Sequence, residues 1–267
     1  MPYETIKVEI KGHVATLTFN RPEKLNALNA KICDEAANAI KDLNEDDGVK
    51  VLILTGAGRA FCSGADLSDE SRATDLNQKI SRAEKINPFV GMGWVVRQLD
   101  LFTKPVIAAI NGPAVGAGLS YALATDIRIA SEKAIFSSIF IKRGLVPDMG
   151  LSFNLPRLIG ISRALELMMT GDIIDATEAE RIGLVNRVVP HNKLMPTARE
   201  LADRLAKGPS LAIEMAKRMA YTGLTTDSVI TQMGVEAYMQ AVALQTEDVQ
   251  EGLKAFREKR QPHYRGK

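Results

Sequence analysis

The sequence predicts an α/β protein, and three observations carry that expectation. Short β-branched apolar runs at 49–54, 105–110 and 127–130 read as strands covered on both faces. Helix-periodic segments alternate with them. From about Ser162 the pattern turns mostly helical, with one strand-like run from Leu184 to Val189.

In chain order, residues 5–10 and 13–19 alternate apolar and polar around Lys11-Gly12, which predicts a β-hairpin ended by Arg21-Pro22. Asn29 is the expected N-cap of a helix to about Leu43, with Ile32, Ala36, Ala39, Ile40 and Leu43 at helical spacing. The strand at 49–54 lies between Asp-Gly and Thr-Gly. The strand at 105–110 runs into the turn Asn111-Gly112-Pro113 and a small-residue helix from about Gly116 to Ala124. Segments 192–206, 210–221, 226–244 and 247–259 predict four more helices. Residues 68–100 are polar and only patchily periodic, which suggests a flap over a site.

The chain has 267 residues, with 34 basic and 32 acidic side chains and a net charge of +2. That balance supplies no field that would make nucleic acid or an anionic membrane the main partner. Cys33 and Cys62 fit no metal or redox spacing and read as reduced thiols. The opening residues hold no signal-peptide core, and no apolar run is long enough to span a bilayer, so a cytoplasmic location is expected.

Three segments could carry chemistry. GAGRAFCSGADL, residues 56–67, follows a strand and surrounds Phe61 with small residues, so its backbone can approach a ligand closely. KPVIAAINGPAVGAG, residues 104–118, joins a buried strand to a glycine-rich helix start, whose free N–H groups attract negative charge. Neither has nucleotide-binding glycine spacing. GLVPDMG, residues 144–150, sets Asp148 beside Ile141, Leu145, Val146 and Met149. It reads as a turn aspartate, as the N-cap of a helix near Ser152, or as a carboxylate on an apolar pocket whose pKa is raised toward proton-transfer work. His13, His191 and His263 lie in no motif and are expected at the surface, Ser63 and Ser120 have no histidine partner for a triad, and no metal constellation occurs.

Together these segments resemble the enoyl-CoA hydratase/isomerase, or crotonase, superfamily over essentially the whole chain. VEIKGHVATLTFNRPEKLNALN looks like its N-terminal hairpin and first loop, and LMMTGDIIDATEAERIGLVNRVVP and the tail EGLKAFREKRQPHYRGK also match. The resemblance implies a spiral of ββα units over residues 1–200 and a helical trimerisation region over 201–267. It implies an oxyanion hole made by the backbone N–H groups of Ala65 and Ala117, and an acyl-CoA site framed by Lys24, Leu25, Ser63, Gly64, Asp66, Leu67, Gly116 and Phe140. Asp66 is read as holding its loop. Phe256 and Lys259 match tail positions that reach the coenzyme A of a neighbouring subunit in a trimer or hexamer. Coenzyme A is part of the substrate, and no separate cofactor is expected.

The hydratases of this family hold a water between two glutamates. Ser120 and Phe140 stand at the matching positions, so a two-glutamate hydration is not expected. Asp148 matches the acidic position of 3-enoyl-CoA and 1,2-epoxyphenylacetyl-CoA isomerases. The resemblance therefore favours double-bond isomerisation with Asp148 as acid and base. The alternatives are water activation by Asp148 in a hydratase or hydrolase, nucleophilic use of Asp148 as in 4-chlorobenzoyl-CoA dehalogenases with Trp94 in an aromatic pocket, and a non-catalytic binding homologue.

Overall fold

The computed structural model describes residues 3–68 and 93–267. Strands β1 (Ile6–Lys11) and β2 (Val14–Phe19) form the expected hairpin, with Lys11 opposite Val14 and Gly12 at φ +60° in the tight turn. Helix α1 (Ala30–Glu45) begins where predicted: the Asn29 side chain accepts from the Ile32 N–H at 3.1 Å, a cap typically worth about 1 kcal/mol. Strand β3 (Val51–Gly56) is buried along almost its whole length. Helix α2 (Gly93–Asp100) leads to strand β4 (Val106–Ile110). The flap expected at 68–100 falls largely outside the described residues, as does the Trp94 side chain.

The short strand β5 (Ala114–Val115) precedes helix α3 (Ala117–Leu123), strand β6 (Ile127–Ser131) and strand β7 (Ile135–Ser137). Helices α4 (Leu151–Ile159) and α5 (Ile161–Thr170) follow. Strand β8 (Ile173–Asp175), helix α6 (Ala176–Arg181) and strand β9 (Arg187–Val189) come next. The chain closes with α7 (Leu194–Ala206), α8 (Ser210–Gly223), α9 (Val229–Ala243) and α10 (Glu247–Glu258). No helix among the described residues is long and apolar enough to cross a membrane.

Six strands form one sheet in the order β1-β2-β3-β4-β6-β9, antiparallel only at the hairpin. Alternation along β3 and β4 divides their side chains between its two faces. Val51, Ile53, Ile107 and Ala109 pack under α7, while Leu52, Leu54, Ala108 and Ile110 join the larger core that includes α1 and α3. Both faces are therefore covered, which is why these strands read as continuous apolar runs. A second, three-stranded sheet, β5-β7-β8, escapes sequence reading because its strands have only two or three residues each.

The tail after α10 is tied back to it. Arg260 donates to both Glu251 carboxylate oxygens, and the His263 N–H donates to the same carboxylate at 2.8 Å. The Arg260 guanidinium, with that N–H, holds the Glu251 carboxyl down at about 2. A carboxyl depressed on folding stabilises the docked tail above its ordinary value and loses that contribution as pH falls through its folded value. The contribution of Glu251 to tail docking is therefore full above the ordinary value of 4.5 and fades between there and about 2. Hydrogen exchange at the His263 N–H, which donates to Glu251, followed from pH 6 to pH 2, checks this. Glu251→Gln flattens the profile, and an unchanged profile in that variant would show that another group governs it.

Candidate active site

The first motif leaves β3 and folds against the loop after β2. Gly64 C=O accepts from the Leu28 N–H at 2.8 Å, and the Asp66 N–H donates to Leu28 C=O at 2.8 Å, a parallel bridge centred on Leu28 and Ala65. In such a bridge the central residue's own N–H faces the opposite side. The Ala65 amide is thus turned away from Leu28.

The second motif lies directly beside it. Cys62 N–H donates to Pro113 C=O and Val115 N–H to Cys62 C=O, both at 3.0 Å. Gly116 then turns at φ +56°, its N–H donating to Ser137 C=O at 2.9 Å, and Ala117 opens α3. As a first helical residue Ala117 has no intrahelical acceptor. Among the described residues neither the Ala65 nor the Ala117 N–H donates a hydrogen bond.

Two glycines show how close these backbones come. A Cβ on Gly64 would lie 2.8 Å from Val115 O and 3.5 Å from Ala117 N, and one on Gly118 would lie 2.1 Å from Cys62 O. The two amides expected to form an oxyanion hole therefore sit on adjoining backbone, with Ala65 partly exposed and Ala117 buried. Preorganised donors of this kind stabilise charge that develops on an oxygen, each worth roughly 10²–10³ in rate.

Side chains that sequence reading missed hold the first motif in place. Asn26, wholly buried at φ +56°, donates to Ala57 and Ala60 C=O and accepts from the Arg21 N–H. Asn111 donates to Gly58 and Ala60 C=O. The only local signal was an asparagine in each turn, a residue that tolerates the left-handed region.

Asp66 accepts from the Ser68 hydroxyl at 2.7 Å and from Arg21 at 2.8 Å. Ser68 first, then Arg21, keep its carboxyl below the usual carboxylate range. Its carboxylate is committed to the loop. Lys24 is exposed with Nζ 3.2 Å from Ser68 Oγ, Leu25 adopts φ +52°, Ser63 Oγ reaches Lys24 C=O at 3.5 Å and Leu67 is exposed. These residues belong to the loop after β2 and to the segment that flanks Ala65. Burial pushes the Cys62 thiol up to about 12, so it stays neutral.

The Asp148 segment meets α3 through its backbone. Ser120, wholly buried, donates to Asp148 C=O at 3.1 Å, and a Cβ on Gly116 would lie 4.0 Å from Phe140 Cζ. Gly150, at φ +79°, caps α4, so Asp148 is not its N-cap. The apolar enclosure expected around Asp148 differs in the single chain. Asp148 is exposed, as are Ile141, Leu145 and Val146, and only Met149 is buried, because the segment runs along the surface. His13, His191 and His263 are all exposed. Phe256 and Lys259 lie far along the chain in α10 and at its C-cap, both exposed. Among the described residues no group of three or more His, Cys, Asp or Glu side chains could hold a metal ion.

The family model for enoyl-CoA hydratase/isomerase matches residues 9–267. The chain belongs to that family. It is an acyl-CoA enzyme of the crotonase fold. The 1,2-epoxyphenylacetyl-CoA isomerase of Escherichia coli K12 is 39% identical over 269 residues, spanning 99% of each chain. The crotonyl-CoA hydratase of Syntrophomonas wolfei is 38% identical over 266 residues, again spanning 99% of each. The crystal structure of enoyl-CoA hydratase from Bacillus anthracis superposes with a TM-score of 0.90 at 36% identity, covering 99% of this chain and 100% of that one. Hydratases and an isomerase are thus about equally similar to this chain.

Proposed function

We propose that this family member moves a double bond in an enoyl-CoA thioester. Ala65 and Ala117 N–H bind the thioester oxygen, and the Asp148 carboxylate removes a proton from the α carbon of a 3-enoyl-CoA. The electron pair delocalises into a dienolate with its charge on the oxygen held by the two amides. The protonated Asp148 returns that proton to the γ carbon, giving the 2-enoyl-CoA with no net gain or loss of atoms. One carboxylate serves both transfers, first as general base and then as general acid.

The observation that supports this reading is the pair Ser120 and Phe140. Both stand where the family's hydratases carry glutamates, and neither can activate water as a carboxylate does. Ser120 instead spends its hydroxyl on Asp148 C=O, and the Phe140 ring lies against the turn before Ala117. The similarity to a crotonyl-CoA hydratase favours a second reading, in which Asp148 alone activates water. Product analysis separates them. Incubated with 3-hexenoyl-CoA the protein forms 2-hexenoyl-CoA, and incubated with 2-hexenoyl-CoA it accumulates no 3-hydroxyhexanoyl-CoA. Accumulation of the hydroxy product at a rate matching isomerisation would overturn the isomerase assignment.

The assembly belongs to the same proposal: a trimer, or a hexamer of two trimers, working in the cytoplasm on acyl-CoA with no separate cofactor. It is supported by the apolar side chains that the single chain leaves exposed on its C-terminal helices, Val229 and Ile230 on α9 and Phe256 on α10 at 73%, 78% and 83%. Apolar patches on a protein surface mark protein contacts.

A further inference from the structure

Asp148 sits on a turn that needs holding. Met149 follows at φ +52° and Gly150 at φ +79°. A left-handed residue with a side chain costs roughly 1–2 kcal/mol, and such a conformation persists only where its surroundings over-determine it. Among the described residues the surroundings supply at least three ties. The Met149 side chain is buried, Leu151 N–H donates to Asp148 C=O at 3.0 Å, and the Ser120 hydroxyl donates to the same carbonyl at 3.1 Å.

Of these, Leu151 belongs to the helix that the turn itself leads into. Ser120 is different, because it lies on α3, about one turn after Ala117. Its oxygen is also 3.4 Å from Gly116 C=O, the residue before Ala117. A hydroxyl carries one proton, and the shorter contact is to Asp148. One wholly buried hydroxyl thus links the backbone that bears the carboxylate to the helix that bears an oxyanion donor.

We infer that Ser120 is a positioning residue, which sets the reach of the Asp148 carboxylate to the α carbon of a thioester held by Ala117. This inference rests on the isomerase reading and deepens it. Ser120 touches no reacting atom, so its effect passes through Asp148. The position that carries a water-binding glutamate in the family's hydratases is here used to aim the acid–base group. Misplacing a catalytic group by about 1 Å can cost up to roughly 10²-fold in rate.

A double-mutant cycle on the full-length protein tests this, with deuterium entry into 3-hexenoyl-CoA and its isomerisation both followed. Ser120→Ala lowers kcat by roughly 10- to 100-fold with KM nearly unchanged, and Ser120→Cys, a weaker donor, falls between the two. In the Asp148→Asn background Ser120→Ala costs nothing further. An unchanged kcat in Ser120→Ala, or an equal loss in both backgrounds, overturns the inference while leaving Asp148 as the acid–base group. Full exchange in Asp148→Asn, or none in the parent protein, overturns the reading beneath it. If Ser120→Ala does not fold, Ser120→Cys in the two backgrounds decides by the same comparison.

Discussion

Asp148→Asn lowers deuterium exchange at the α carbon of 3-hexenoyl-CoA by roughly 10²–10⁴-fold, the usual worth of a positioned acid–base group. The amide keeps the shape of the carboxyl and cannot accept a proton. Because Asp148 is exposed and its turn is held through the backbone carbonyl, the substitution leaves those backbone ties in place. Binding of a saturated acyl-CoA, measured by calorimetry, persists, since in the proposed site the coenzyme and the thioester oxygen are held by backbone rather than by Asp148. The combination is diagnostic: exchange lost, binding kept. Exchange at the parent rate would show that some other base takes the proton.

Gly64→Ala removes turnover by a different route. Gly64 has φ +97°, outside the comfortable range of a residue with a Cβ, and that Cβ would lie 2.8 Å from Val115 O. The obstructing atom is backbone and cannot rotate aside. The Gly64–Ala65 peptide or the Val115–Ala117 turn has to shift, and with it one of the two donors. Loss of one such donor costs roughly 10²–10³ in kcat, and the packing strain about 1–3 kcal/mol in stability. Gly12→Ala is the matched control. Gly12 is also left-handed, at φ +60°, but a Cβ there meets nothing within 4 Å. It costs about 1–2 kcal/mol and leaves kcat unchanged. Steady-state turnover and thermal unfolding of both variants make the comparison, and a Gly64→Ala protein with the parent kcat would mean that these amides do not bind the reacting oxygen.

Much of this architecture was legible in one dimension. The hairpin, the Asn29 cap, the buried strands and the four closing helices follow from periodicity and capping, because each depends on which residues of one segment are covered and which backbone groups that segment leaves unpaired. The family resemblance was legible for the same reason: its glycines mark places where backbone meets backbone, and Gly64, Gly112 and Gly118 each lie within 2.8 Å of a carbonyl oxygen if given a Cβ. The two- and three-residue strands of the second sheet are too short to show a period. The grip of Asn26 and Asn111 on Ala60 C=O spans 34 and 51 residues, which no local pattern records.

By itself, then, the sequence determined the layered α/β plan, the placement of the two glycine-rich turns, and the presence of Ser120 and Phe140 where the family resemblance leads one to look for glutamates. Tertiary structure alone decided which way the Ala65 and Ala117 amides point, and that Ser120 would tie down Asp148. An N–H vector has no residue code. It is set by the carbonyls that the neighbouring peptides have already taken, and here those neighbours, Leu28, Cys62 and Ser137, come from three separate parts of the chain.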